Sequence, residues 1–320
     1  MHLLNWLVAC LVVALALPAA PARSQERFMV MGGGSTGGLF FIVAAGMGRV
    51  IEKHVPNTRV TAQVTSGSVE NIRLLGQRRI DCALSSVDGA YHAANQSGPF
   101  EKEKYTNIRY IMRGYSSILQ NIVLADSPIR SLADIKGKRV AILIGITAQD
   151  WFPSIAAAHG LKQGQDFRVS VLRATELINA LRDGNADLSV YFAGAPTSTV
   201  TDIATSRPVR FLPLGEKESD EVIKRHPYFF RAPLAKGVYP GLNEDVETLH
   251  VPILLVCRED VPADVIYAMT KALMDNNGEL KQIHPEAASF GLENAGKSMV
   301  VPIHPGAERY YREKGIRLGS

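Results

Sequence analysis

The order of apolar and polar positions along the chain predicts alternating strands and helices. A strand is predicted at 28–31, followed by a helix over 37–54 whose apolar residues recur at helical spacing. Further strands are predicted at 60–65 and 81–85, with a helix over 69–75 between them. This β-α-β-α-β alternation is typical of a mainly parallel sheet covered by helices.

The same kind of pattern restarts after residue 125 and predicts a second α/β half. Strand candidates at 108–113 and 121–125 lead into it. The second half then contains strands predicted at 139–144, 168–172 and 187–192, and helices over 149–159 and 175–182.

A long apolar strand is predicted at 248–257, with helices over 262–276 and 308–314 after it. A chain that leaves the first half near Ala125 and returns near Leu254 would form a two-strand hinge with a cleft between two lobes. We therefore expect an α/β fold of two lobes, each a mainly parallel sheet flanked by helices. The predicted boundaries are a signal peptide at 1–24, lobe I at 25–120, lobe II at 121–251 and the return to lobe I at 252–320.

Four predicted strand-to-helix junctions consist largely of glycine and small hydroxyl residues, at 32–38, 65–68, 84–88 and 144–147. The first backbone N–H groups of a helix have no partner within the helix, and the helix dipole is positive at that end. Several such helix starts around one crevice would bind a small anion without any catalytic group. The pattern favours a binding protein over an enzyme.

The N-terminus predicts export. Residues 3–17 are almost continuously apolar, and Ala20-Pro21-Ala22 forms a cleavage box for a secretory signal. Lipidation at Cys10 is disfavoured because the apolar run continues beyond it. We expect Cys82 and Cys257 to be small core residues, although an exported compartment also permits a disulfide between them.

Composition excludes some functional classes. The 320 residues carry 35 basic and 31 acidic side chains, with no basic stripe interleaved with aromatics, so nucleic-acid binding has no support. The histidines show no metal-ligand spacing, and neither a metal nor a cofactor is predicted. We expect a monomer.

Two motifs match sequence patterns that are found in enzymes. The run 32–37 fits the dinucleotide pattern G-x-G-x-x-G, but Thr65 and Ser66 stand where an acidic residue is needed, which disfavours that interpretation. The run 33–37 also fits the nucleophile pattern G-x-S-x-G, and His304 could nominally complete a triad. An exported serine hydrolase using Ser35 is therefore an alternative.

Polar residues at the junctions have both structural and functional interpretations. Ser68 and the amides around it either start a helix, hold a ligand carboxylate, or do both. Asp88 either stabilises a helix dipole or accepts a hydrogen bond from a ligand. Arg113 and Arg231 are candidates for a bidentate clamp on an anion.

Several segments in order resemble one known family, and together they extend over essentially the whole predicted mature chain. They are Gly34-Ser35-Thr36-Gly37-Gly38, Thr65-Ser66-Gly67-Ser68-Val69-Glu70-Asn71, Ser86-Val87-Asp88, the run 134–140 and the run 303–311. Together they resemble the TAXI family of TRAP-transporter solute-binding proteins.

The resemblance implies a two-lobed periplasmic-binding-protein fold of type II-like topology. It implies a periplasmic receptor that delivers a small carboxylate, an organic acid or acidic amino acid, to a TRAP permease driven by an ion gradient. The ligand-binding residues carried over are Ser35, Thr36, Gly37, Ser68, Ser86 and Asp88 from lobe I, and Gly145, Thr147, Gly194 and Pro196 from lobe II.

Two departures from the family pattern favour a less polar ligand. Ile146 stands where the family has a small polar residue, and Phe40 stands where it has a tyrosine. Both changes favour a monocarboxylic acid over a glutamate-like ligand. The alternative within the binding class is a receptor for an ABC importer of a thiamine-precursor-like or sulfonate solute.

Overall fold

The computed structural model describes residues 26–145 and 150–318. The predicted signal peptide with Cys10, and the junction residues Ile146 and Thr147, lie outside these ranges. Within them, no helix is both long enough and apolar enough to cross a membrane.

The first half of the sheet has the predicted alternation. Its elements are β1 (Arg27–Gly32), α1 (Leu39–His54), β2 (Thr58–Gln63), α2 (Ser68–Gly76), β3 (Cys82–Ser86) and α3 (Val87–Asn95). The three strands are parallel, with β1 between β2 and β3. Because the carboxyl ends of parallel strands lie at one edge, the three helices all begin at that edge.

Two long strands run from the first half into the second. β4 (Ile108–Leu124) and β10 (Val246–Arg258) are antiparallel neighbours at the centre of the sheet. The first part of β4 pairs with β10, and its last part pairs with strand β7 (Leu188–Ala193). These two strands correspond to the predicted hinge.

The prediction of two separate strands at 108–113 and 121–125 is wrong, because β4 is continuous over 17 residues. Gly114, Ser116 and Ser117 resemble a loop in the sequence. In the structure the glycine allows close packing: a Cβ at Gly114 would lie 2.3 Å from the ring of Phe290.

The second half consists of a parallel set of strands and the helices that cover it. Its elements are β5 (Arg139–Leu143), α4 (Phe152–Ala158), β6 (Arg168–Leu172), α5 (Ala174–Arg182), β7, α6 (Ser198–Ser206), β8 (Val209–Leu212), α7 (Glu216–Arg225) and β9 (Phe230–Leu234). The main strand order is β2-β1-β3-β10-β4-β7-β5-β6, while β8 pairs with β4 and β9 with β10. The sheet is mixed, because β10 and β4 run antiparallel to their neighbours.

The C-terminal helices pack against one another and against α1 of the first half. They are α8 (Ala263–Asp275), α9 (Asn277–Ile283) and α10 (Pro305–Glu313). The hydroxyl of Tyr311 donates a hydrogen bond of 2.7 Å to the carbonyl oxygen of Ile111, which fixes α10 to β4. The domain boundaries given above stay predictions.

Cys82 and Cys257 form a disulfide. They face each other on the antiparallel strands β3 and β10, and both are buried. The expectation that they are unbonded core residues is therefore wrong, and the alternative that they form a disulfide is confirmed. Register decides the outcome, since the antiparallel pairing brings the two residues directly opposite each other.

Candidate functional site

A cavity of about 100 Å³ lies between the two halves of the molecule. We call it the cleft cavity. On one side it is lined by the segments that precede α1, α2 and α3, and on the other by residues at the ends of β5 and β7. Its lining residues are Gly34, Ser35, Gly38, Leu39, Phe40, Ser66, Gly67, Ser68, Ser86, Ser117, Leu143, Ile144, Gly145, Trp151, Ala174, Tyr191, Phe192, Ala193 and Gly194.

Three helices of the first half begin at this cavity. Gly38, Gly67 and Ser86 occupy the position before the first residue of α1, α2 and α3, and none of them caps its helix through a side chain. The first amides of each helix therefore stay available to another acceptor. Their partial positive charges add to that of each helix dipole, so the geometry suits an anion.

Two of the lining glycines are required by backbone conformation. Gly67 has φ of 108° and Gly145 has φ of 116°, a region that side-chain-bearing residues rarely adopt. A Cβ at either position would meet nothing within 4 Å, so conformation rather than space makes glycine necessary. The backbone at both turns consequently lies open to the cavity.

Hydrogen bonds from neighbouring side chains hold the turns of the first half together. Asn71 Nδ2 donates to the carbonyl oxygens of Gly33 at 2.6 Å and Leu84 at 2.8 Å, which joins the ends of β1 and β3. The hydroxyl of Thr65 donates to the same Gly33 oxygen at 3.0 Å. These buried bonds position the three helix starts relative to one another.

The remaining cavity wall is largely apolar. The rings of Trp151 and Phe192 have centroids 4.4 Å apart, and Phe40 and Leu39 line the cavity from the first half. Tyr191 and Ser117 add hydroxyl groups from the second half and from β4. Among the described residues, no charged side chain lines the cavity. It therefore offers neutral donors and an apolar surface.

The cleft cavity contains half of the residues predicted to bind ligand. Ser35, Ser68, Ser86, Gly145 and Gly194 line it. Thr36, Gly37, Asp88 and Pro196 are not among its lining residues, and Thr147 lies outside the described residues.

Three of the non-lining residues have other surroundings. Gly37 faces α6, since a Cβ there would lie 3.9 Å from the hydroxyl of Thr199. The carbonyl oxygen of Pro196 lies 3.2 Å from His284 Nε2, in a contact between the second half and the C-terminal segment. Asp88 is fully buried in the first turn of α3, where the hydroxyl of Ser86 and the amide of Gly89 lie near its carboxylate. Its burial raises the pKa of this carboxyl to about 6.

The sequence predictions did not include Ser117, Trp151, Ala174, Tyr191 or Phe192. Ala174 is the first residue of α5, one residue after β6 ends, but Arg173 precedes it instead of a glycine or small hydroxyl residue, so the rule applied to the other junctions does not select it. The positions of the other four residues at the cavity depend on how the two halves pack together. The clamp candidates do not line the cavity: Arg113 bonds Asn294, and Arg231 forms an ion pair with Glu216.

Ionisable side chains also connect the halves. His92 on α3 lies 3.6 Å from a carboxylate oxygen of Asp150 and 3.1 Å from the hydroxyl of Tyr228. His226 lies 2.9 Å from the same hydroxyl and 3.7 Å from Asp150. Burial would raise the pKa of Asp150, but its contact with His92 and the charges of both histidines outweigh burial and lower it. Burial lowers the pKa of His226.

The described residues offer no geometry that supports the hydrolase alternative. No hydrogen bond between Ser35 and a histidine occurs in the part of the chain that the structure describes, and His304 Nδ1 instead accepts the amide of Gly306 at the start of α10. The described residues likewise contain no group of three potential metal ligands.

Solved structures of several bacterial proteins have a similar fold. A putative L-cystine ABC transporter protein from Listeria monocytogenes is 15% identical over 85% of this chain and 99% of its own, with a TM-score of 0.50. A Bordetella bronchiseptica RB50 protein is 10% identical over 91% and 98%, with a TM-score of 0.56. The periplasmic aliphatic sulphonate binding protein SsuA from Escherichia coli is 15% identical over 92% and 89%, with a TM-score of 0.47.

These likenesses, with the mixed sheet and flanking helices, define a periplasmic-binding-protein-like α/β fold, as predicted. The chain belongs to the NMT1-like family, whose model matches residues 31–315.

The prediction of a TAXI-family protein, and with it a TRAP permease as partner, is wrong. The family model that matches the chain is NMT1-like. The motifs that carried the resemblance are mainly strand-to-helix turns. Glycine and small hydroxyl residues are common wherever helix starts gather at one sheet edge, so such motifs do not separate families.

Proposed function

We propose that this chain is an exported receptor that captures a small organic anion of the sulfonate class between its halves and delivers it to an ABC-type importer. One observation carries the proposal: three helix starts without side-chain caps converge on a cavity that no charged side chain lines among the described residues. Uncapped amides and serine hydroxyls then supply all the recognition of the negative charge.

The shape of the site supports a sulfonate. Its three oxygens can accept hydrogen bonds from three directions at once, and donors approach from α1, α2 and α3. An alkyl group attached to the sulfur would pack against Trp151 and Phe192. A cavity of about 100 Å³ suits a solute with only a few carbon atoms.

The rest of the chain supports export and a binding role. An apolar segment at 3–17 followed by Ala20-Pro21-Ala22 fits a cleaved signal and delivery to the periplasm. The fold likeness to a putative ABC transporter protein supports an ABC importer as the membrane partner. Capture requires only that the ligand contact the closed arrangement better than the open one, so no bond is made or broken.

Trp151 provides a direct test. The chain has two tryptophans, and the other is Trp6 in the predicted signal, so a protein beginning at residue 26 has one tryptophan, in the cavity wall. Titration with ethanesulfonate should change its fluorescence with saturation, and propionate should bind about tenfold more weakly. Trp151→Phe, followed by calorimetry, controls for nonspecific quenching. If no short alkanesulfonate binds in calorimetry, the proposal is wrong.

A further inference from the structure

A second cavity, of about 330 Å³, lies on the other face of β4. Ser117 lines the cleft cavity, whereas its neighbours Ser116 and Ile118 line the second one. Successive residues of a strand point to opposite faces, so the two cavities lie on opposite sides of the crossing strands. We call the second one the reverse cavity. Its wall also includes Arg113 and His250 from the crossing strands, Leu234 and Ala235 from the second half, and Glu286 and Asn294 from the C-terminal segment.

Two opposite charges line the reverse cavity, and neither has a counterion in the part of the chain that the structure describes. Arg113 donates one hydrogen bond, of 2.7 Å, from Nη1 to the side-chain oxygen of Asn294. No carboxylate of the described residues lies within 4.0 Å of Arg113, and the Glu286 carboxylate has neither a hydrogen bond nor an ion pair there. Both side chains are half-buried. Burial lowers the pKa of Arg113 and raises the pKa of Glu286, as expected for charges that lack partners.

A partly buried charge without a partner is costly, and two such charges of opposite sign in one cavity call for a ligand that carries both complements. A carboxylate can accept two parallel hydrogen bonds from a guanidinium, and an ammonium can donate to a carboxylate. Ile118, Leu234 and Val238 make much of the remaining wall apolar, which strengthens both contacts.

We propose that the reverse cavity is a second ligand site, which takes a small zwitterion whose carboxylate pairs with Arg113 and whose ammonium pairs with Glu286. This site is independent of the sulfonate site proposed for the cleft cavity. Its wall comes from both halves and from both crossing strands.

The test uses the twenty proteinogenic amino acids singly, with saturation-transfer NMR to detect binding and calorimetry to measure it. At least one neutral amino acid should bind. Its analogue without the ammonium group and its analogue without the carboxylate should each bind about tenfold more weakly. For alanine these analogues are propionate and ethylamine. If no amino acid binds, water satisfies the two charges and the proposal is overturned.

Three variants test which of the two cavities binds the amino acid. Glu286→Gln, which keeps the shape of the side chain, and Arg113→Lys, which keeps its charge, should each weaken amino-acid binding about tenfold. Ser35→Trp fills the cleft cavity from a surface turn and should leave amino-acid binding unchanged while abolishing ethanesulfonate binding. Amino-acid binding that is lost in Ser35→Trp and kept in Glu286→Gln would place the amino acid in the cleft and overturn the proposal. A melting temperature of Glu286→Gln no lower than that of the unmodified protein would show that the loss is not unfolding.

Discussion

The amide of Ser86 donates a hydrogen bond of 3.0 Å to the hydroxyl oxygen of Ser68, and the two hydroxyls also lie 3.0 Å apart. This contact joins the start of α3 to the start of α2 inside the cleft cavity. Two helix ends with partial positive charge repel each other, and the shared hydroxyl lets them lie side by side. An anion between them would strengthen the arrangement, which is the basis of the first prediction.

Ser68→Ala removes the acceptor for the Ser86 amide and one hydroxyl from the cavity. We expect ethanesulfonate to bind about tenfold more weakly and the free energy of unfolding to fall by about 1 kcal/mol. Calorimetry and urea unfolding measure the two effects. Ser170→Ala on β6, where the serine is exposed, is the matched control and should change neither. Unchanged affinity in Ser68→Ala would remove this hydroxyl from the site.

His92→Gln tests the contact between the halves. The histidine lies 3.6 Å from Asp150, and its loss should favour the open arrangement, so that ethanesulfonate affinity falls about fivefold. His54→Gln is the control, because His54 lies 2.8 Å from Glu279 within one half. Calorimetry should show a loss of affinity in the first variant alone. Equal losses in both variants would mean that the His92 contact has no special role in closure.

Removal of the disulfide should cost stability without changing the site. The bond joins residues 175 positions apart, and loss of so long a cross-link costs about 2–5 kcal/mol. The double variant Cys82→Ala with Cys257→Ala should therefore melt at a lower temperature, and dithiothreitol should lower the melting temperature of the unmodified protein similarly. Dithiothreitol should have no effect on the double variant. An unmodified protein insensitive to full reduction would contradict this prediction.

Asp88→Asn tests how strongly ionisation of the buried Asp88 carboxyl destabilises the folded protein. Burial raises the pKa of Asp88 to about 6, so the folded protein holds this proton more tightly than the unfolded chain does. The contribution of the protonated Asp88 carboxyl to the free energy of unfolding is then fully present below about pH 4 and is lost as the pH rises through about 6. The raised pKa corresponds to about 3 kcal/mol, so the variant should gain up to about that much relative to the unmodified protein at pH 8.

Urea unfolding from about pH 4 to pH 8 measures this difference, with Asp183→Asn at an exposed position as the control. The stability difference between Asp88→Asn and the unmodified protein should grow with pH in that window, whereas the control difference stays flat. A difference that shrinks as the pH rises would show that the folded protein stabilises the ionised form of Asp88.

The sequence contained enough to predict the sheet edge but not the whole cavity. The junctions at 32–38, 65–68 and 84–88 were predictable because parallel strands that alternate with helices bring their ends to one edge. Trp151 and Phe192 were not, because their position depends on how two separately patterned halves meet. Ser117 was missed since its strand was predicted in two pieces. The family was predicted wrongly for a related physical reason. Turns of glycine and hydroxyl residues are common at sheet edges that bind anions, so they do not identify the transporter.

A crystal structure of the protein grown with ethanesulfonate would show directly whether the cleft cavity holds the anion. We expect the sulfonate between the two halves, with its oxygens at hydrogen-bond distance from the hydroxyls of Ser68 and Ser86 and from the first amides of α2 and α3. The ethyl group should contact Trp151. A sulfonate bound elsewhere, or held in the cleft by a lysine or arginine side chain instead of these groups, would contradict this expectation.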